Sequence, residues 1–186
     1  MKYFKKITGE RVYLSPMNVE DANIFTKWMN DFKVTDGVGN SKVLITEELE
    51  KIWLEERTKQ NTFNFSIIKL ENDELMGNCG IMDIDNVNRV GTIGIFIGEE
   101  ENRGKGFGLE TINLLLEYGF KYLNLNNIML KVMSFNQRAI NSYKKAGFKE
   151  FGRRQSYFIN GEYYDDIHMD ILSSEFEGTY IKNKNI

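Results

Sequence analysis

The chain has 186 residues, 41% hydrophobic and 27% charged, with 24 Lys and Arg against 27 Asp and Glu for a formal net charge of −3. This composition fits one well-cored globular domain. It excludes a strongly basic nucleic-acid-binding surface and, with a single cysteine, any intrachain disulfide; no apolar run approaches the length of a membrane span. Along the chain, Arg11 to Ser15 reads as a short strand. Asn18 caps a predicted helix from Val19 to Asn30, whose Ile24, Phe25 and Trp28 form one apolar stripe. Asp36 to Ser41 reads as a loop. Thr46 starts a second helix reaching Thr58, with Leu49, Ile52 and Trp53 expected inward. Phe63 to Leu70 and Leu75 to Ile84 read as strands, and Asp85 to Asn88 as a hairpin turn. Val90 to Gly98 is the most apolar strand and is expected at the centre of a sheet.

The most informative stretch follows: Asn102-Arg103-Gly104-Lys105-Gly106-Phe107-Gly108. It stands between that strand and an amphipathic helix, Leu109 to Leu123, which turns Ile112, Leu115, Leu116, Phe120 and Leu123 inward. A glycine-rich turn opening a helix gathers free backbone N–H groups and the positive end of the helix dipole at one point. Gly104, Gly106 and Gly108 leave room for an anion, while Arg103 and Lys105 add charge. The loop lacks the Lys-Ser/Thr pair of the mononucleotide phosphate loop. It reads G-x-G-x-G rather than G-x-G-x-x-G, with no carboxylate after the next strand, so neither nucleotide fingerprint fits. Asn127 to Met133 is the next strand and Asn136 to Ala146 the next helix, with Gly147 suited to its left-handed cap. Strands from Glu150 to Phe158 and from Glu162 to Leu172 meet at Asn160-Gly161, a strong hairpin signal. Glu175 to Ile186 is expected to fray beyond an ordered core of about residues 10–172 in a single domain, 1–186.

The R-x-x-G-x-G pattern of Arg103, Gly106 and Gly108 resembles the acyl-CoA pyrophosphate loop of the GNAT superfamily of N-acetyltransferases. Asn136, Ala139, Tyr143, Gly147 and Phe148 are similar to that family's N-x-x-A-x-x-x-Y-x-x-x-G-F segment. Phe158 to Asp166 resembles the branch containing ribosomal-protein and spermidine acetyltransferases. The resemblance implies a mixed α+β fold: a mostly antiparallel sheet of about seven strands, splayed between the fourth and fifth, with about four helices. It also implies acetyl-CoA as co-substrate, with the pyrophosphate held over Arg103 to Gly108. The pantetheine arm would lie along Phe96, Ile97 and Gly98 as an added strand, with Asn136 turned toward it.

Acetyl transfer from a thioester to an amine requires a held cofactor, a polarised carbonyl, a neutral amine and a proton for the thiolate. Tyr143 is the candidate general acid, because a phenol stays protonated at neutral pH. For the base, Asp83, Asp85, Asp165, Asp166, His168 and a water relay all stand open. The resemblance places Tyr163 and Asp165 toward the acceptor. One Cys and one His do not make a zinc set, so no metal is expected, and Cys79 reads as a small core residue. The expected function is N-acetylation of a primary amine, whether a small molecule or a peptide N-terminus, with no nucleic-acid or membrane partner and a cytoplasmic setting. The alternative is a non-catalytic acyl-CoA sensor of the same fold. Exposed strands near the C-terminus permit a homodimer.

Overall fold

A computed structural model describes residues 2–59 and 63–184. Its strands are β1 (Ile7–Thr8), β2 (Val12–Pro16), β3 (Phe63–Lys69), β4 (Leu75–Asp85), β5 (Val90–Ile97), β6 (Asn127–Met133), β7 (Lys149–Ile159) and β8 (Glu162–Leu172). The helices are α1 (Ala22–Met29), α2 (Phe32–Val38), α3 (Glu47–Lys59), α4 (Phe107–Lys121) and α5 (Gln137–Lys145). All the strands form one sheet in the order β1-β2-β3-β4-β5-β6-β8-β7. β5 lies inside it, as its apolar sequence predicts.

Every pairing is antiparallel except β5 with β6. That parallel pair joins only Val90 to Asn127, Gly91 to Ile128 and Thr92 to Met129. Beyond it β5 and β6 part, while β5 stays paired to β4 as far as Ile97 and β6 to β8 as far as Met133. The splay therefore falls where the family resemblance implies.

Side-chain alternation gives the sheet two covered faces. On one, Ile93, Ile128, Leu130, Val132, Ile167, Met169 and Ile171 form a core with Ile112, Leu114, Leu115 and Leu116 of α4 and Ile140 of α5. Each fully buried leucine contributes about 2 kcal/mol. On the other, Tyr13, Ile68 and Leu75 pack with Phe25 and Trp28 of α1 and Leu54 of α3.

The structure corrects several sequence expectations. Among the described residues the sheet has eight strands, because β1 is a two-residue strand too short to show a period. Among the described residues there are five α-helices, because Asp31 caps α2 through the amide of Lys33 and Gly39 ends it in the left-handed region, so much of the expected loop is helical. Leu49 and Ile52 of α3 are exposed (53% and 49%), while Glu50 and Leu54, four residues apart, face α1. Nor does the tail fray as far as Lys184. Glu117 is fully buried in α4 and accepts hydrogen bonds from the amides of Tyr180 and Ile181 (2.9 Å for Ile181) and from Lys184 Nζ (2.7 Å). Ile181 is thereby sealed into the core, and the Lys182 amide reaches the Thr8 carbonyl at 2.7 Å. Asn185 and Ile186 lie outside the described residues.

Candidate active site

The loop after β5 is tied down at each step. Glu99 Oε1 accepts from Lys27 Nζ (2.7 Å) and Trp28 Nε1 (2.9 Å), and buried Asn102 donates to Glu74 Oε1 at 2.8 Å. Gly98 permits this crossing: a Cβ there would fall 2.0 Å from the Trp28 indole. Arg103 Nε donates to the Ile97 carbonyl (3.0 Å), Nη2 to Gly98 (2.6 Å) and Nη1 to Lys33 (3.0 Å). Its guanidinium thus joins the end of β5 to α2. Gly104 and Gly106 take φ of 74° and 88°, a conformation costly for side-chain-bearing residues. Glu110 anchors the other end of the loop. It accepts from the amides of Glu10 and Arg11 (both 2.8 Å) and from Arg11 Nε (3.0 Å), while Arg11 Nη1 holds the Lys105 carbonyl (3.0 Å) and its guanidinium covers the Phe107 ring.

The first intrahelical bond of α4 runs from the Glu110 amide to the Gly106 carbonyl at 3.0 Å. The amides of Phe107, Gly108 and Leu109 before it have no helical acceptor and stand at the positive end of the dipole. A Cβ on Gly104 or Gly108 would meet nothing within 4 Å. This open, donor-rich concavity has the chemistry to take a pyrophosphate, the group of coenzyme A that the family resemblance implies there.

A cavity of about 530 Å³ runs from this loop into the gap between β5 and β6. Leu109, Ile112 and Tyr143 bound it on the α4–α5 side of the sheet, and Val34, Gly37, Val38, Asn78, Met82 and Lys131 on the α1–α3 side. It therefore passes through the sheet. Arg103, Gly104, Gly106, Gly108, Asn136, Phe96 and Ile97 all line it. Gly98, Lys105 and Phe107 do not: Gly98 is closed off beneath Trp28, Lys105 is exposed beside the loop and Phe107 is turned into the core. The Gly98 amide bonds to the Met76 carbonyl of β4 at 2.8 Å. By the two-residue alternation, Phe96 also points its polar groups to β4, and Ile93, Ile95 and Ile97 point theirs into the gap. Ile95 is thus a backbone partner that sequence reading passed over.

Tyr143 is 8% exposed, with its ring edge-on to Phe148, and burial pushes its phenol up to about 12. It lines the cavity, and its hydroxyl makes no hydrogen bond to another described residue. Asn136 caps α5 by accepting from the Ala139 amide at 3.2 Å, which leaves its NH2 group free. Of the proposed bases, none lines the cavity, nor does any other carboxylate or histidine among the described residues. Asp85 is occupied by the turn, its carboxyl held low by the amide and side chain of Asn88 and the amide of Val87. His168 sits beside Phe151, and burial pushes the Cys79 thiol up. Tyr163, 63% exposed, packs on Phe158 at the hairpin, and Asp165 Oδ2 faces Arg153 Nη1 at 3.6 Å. Neither reaches the cavity, because the β7–β8 hairpin carries them past its mouth. The residues that sequence reading missed are Lys33, Asn78, Met82, Lys131 and Arg138. Only Lys131, a charge between Leu130 and Val132 in an apolar strand, carried a signal.

The Acetyltransferase (GNAT) domain profile matches residues 11–149. The chain belongs to the GNAT acetyltransferase family. It is 33% identical over 179 residues to the N-acetyltransferase p20 of Bacillus licheniformis, covering 91% of this chain and 97% of that one. It is 33% identical over 131 residues to the spermidine N(1)-acetyltransferase of Vibrio cholerae, covering 70% and 75%. The crystal structure of the Vibrio cholerae spermidine N-acetyltransferase with CoA and spermine superposes with a TM-score of 0.80 at 26% identity, covering 89% of this chain and 97% of that one. This GNAT chain is thus an N-acetyltransferase of a fold that uses acetyl-CoA. No helix among the described residues is long and apolar enough to cross a membrane.

Proposed function

We propose that this acetyltransferase moves the acetyl group to a primary amine by direct attack in a ternary complex, with Tyr143 as general acid. The observation that carries this reading is a buried, unpartnered phenol opening onto the cavity that begins at the loop of free amides. Acetyl-CoA supplies an activated acyl carbon and a thiolate leaving group. The amides of Phe107 to Leu109 hold the pyrophosphate, and the backbone of Ile95 and the amide of Ile97 offer hydrogen bonds to the arm. The Asn136 NH2 group is free to bond to it as well.

Tyr143 gives its proton to sulfur as the carbon–sulfur bond breaks and the nitrogen–carbon bond forms. It recovers a proton shed by the amine through solvent. Its raised pKa keeps the phenol protonated until the thiolate develops. With no carboxylate or histidine on the cavity wall among the described residues, water relays the amine proton outward. Thiol release from acetyl-CoA against a panel of amines tests the reading. Turnover of at least one amine is the expected result. Coenzyme A binding with no turnover on any amine would favour a sensing module instead.

A further inference from the structure

Resting on that reading, we propose that the acceptor is a monoamine that carries a carboxylate next to an apolar body, and that Lys131 holds the carboxylate. The chamber beyond the gap, on the α1–α3 side of the sheet, is bounded by Val34, Val38, Asn78, Met82, Gly94 and Lys131. Leu130 and Val132 belong to the opposite core, so alternation turns Lys131 into this chamber, two residues past the last β5–β6 pair. The other cations on the wall stand elsewhere: Lys33 in α2, tied to Glu100, Arg103 in the loop, tied to three carbonyls, and Arg138 and Lys145 in α5. Lys131 is the wall cation that stands in the chamber beyond the gap.

Asp166 pairs with Lys131 from behind the chamber, and no carboxylate among the described residues lines the wall itself. Asp166 is buried, takes Ser156 Oγ and stands 3.4 Å from Lys131 Nζ, and it does not reach the wall; neither does Asp36 of α2. One interaction with Asp166 leaves donors of the ammonium free for a second anion. Asn78 already donates to the Phe65 carbonyl at 3.1 Å, so its oxygen remains to accept from an amine. The rest of the chamber is apolar. A polyamine placed here would surrender the hydration of its further ammonium groups beside Lys131 with no countercharge on the wall. An amino carboxylate pairs its anion with Lys131 and its apolar body with Val34, Val38 and Met82.

The test measures thiol release from acetyl-CoA with leucine and methionine, with their amides, and with spermidine, on the full chain. The amides have the less basic amine, hence more of the neutral nucleophile, so the uncorrected comparison is biased against the proposal. Compared per neutral amine, the expected result is a kcat/KM for the free amino acids about two- to fivefold above their amides and above spermidine, as one partly exposed ion pair gives. Lys131→Met should erase that preference and Lys131→Arg should keep it. Equal rates for acids and amides, or preference for spermidine, would overturn the proposal. If no amine is turned over, the transferase reading fails, and calorimetry on the coenzyme-A-loaded protein still decides the role of Lys131. N-acetylleucine binding about two- to fivefold tighter than N-acetylleucinamide, with the difference lost in Lys131→Met, supports it; equal binding overturns it.

Discussion

The two faces of the sheet each bury a glutamate, and they treat it in opposite ways. On the α4–α5 face, burial pushes Glu117 up, but Lys184, the amides of Ile181 and Tyr180 and the charge of Lys121 outweigh it, so its carboxyl lies below the usual range. On the α1–α3 face, Glu50 is 7% exposed with no ionic or hydrogen-bond partner among the described residues, and burial holds its carboxyl above the usual range. The same contrast runs through each layer. Glu110, Arg11 and the tail fix α4, and with it the free amides of its first turn, within a matched network. The other layer leaves Val43, Leu44, Leu49 and Ile52 exposed. The free amides at the start of α4 stand on the layer whose buried glutamate is matched.

The largest expected effect tests the chemistry on the matched face. Tyr143→Phe should lower kcat by about 10²–10⁴-fold, with coenzyme A affinity and Tm nearly unchanged. The loss should shrink for thioesters of more acidic thiols. A near-native kcat would return Tyr143 to core packing.

Glu117→Ala should cost about 2–3 kcal/mol, because it strips charged-acceptor bonds from two amides and a lysine, and Tm should fall by about 5–10 °C. The depressed carboxyl makes this contribution present above the ordinary glutamate range and lost as pH falls through the folded-state value. Thermal melts of both proteins should therefore converge in acid. Parallel curves down to low pH would remove the network from the account.

Arg103→Lys separates geometry from charge. A lysine cannot span three carbonyls, so coenzyme A affinity should fall about tenfold although the charge is kept, and equally at low and high salt. A loss confined to low salt would mean that Arg103 works as a charge on the phosphates.

The smallest effect belongs to the other face. Glu50→Gln should raise Tm at neutral pH by about 1–3 °C. With the folded-state carboxyl raised, Glu50 costs nothing below its unfolded pKa, and the penalty grows as pH rises through the folded-state value. The gain should accordingly vanish below about pH 4. A destabilised Gln variant would reveal a partner for Glu50 and break the contrast between the faces.

What the sequence disclosed follows the same division. The loop from Arg103 to Gly108, the Asn136 cap and the inward stripe of α4 are local patterns, written in consecutive residues. So is the Asn160-Gly161 turn, with both residues at positive φ. The chamber was not legible, because Val34, Asn78, Met82 and Lys131 are far apart in sequence and meet only through sheet pairing. In α3, Leu49 and Ile52 suggested the wrong inner stripe, since packing against α1 selects Glu50 and Leu54 instead. The tail misled because its polarity looks solvated, whereas Glu117, in the middle of an apolar helix face, is the residue that needs it.

The short parallel seam between β5 and β6 also bears on colloidal behaviour. Most sheets expose two bare edges, but this one has two more in its interior, along Ile93–Ile97 and Leu130–Met133. Bare strand edges recruit other chains into aggregates. Here Ile112 and Tyr143 bound the opening on one side of the sheet and Val34 and Val38 on the other, so a thin extended molecule fits the slot and a second folded protein does not. The slot that admits a ligand also shields these strands from self-association.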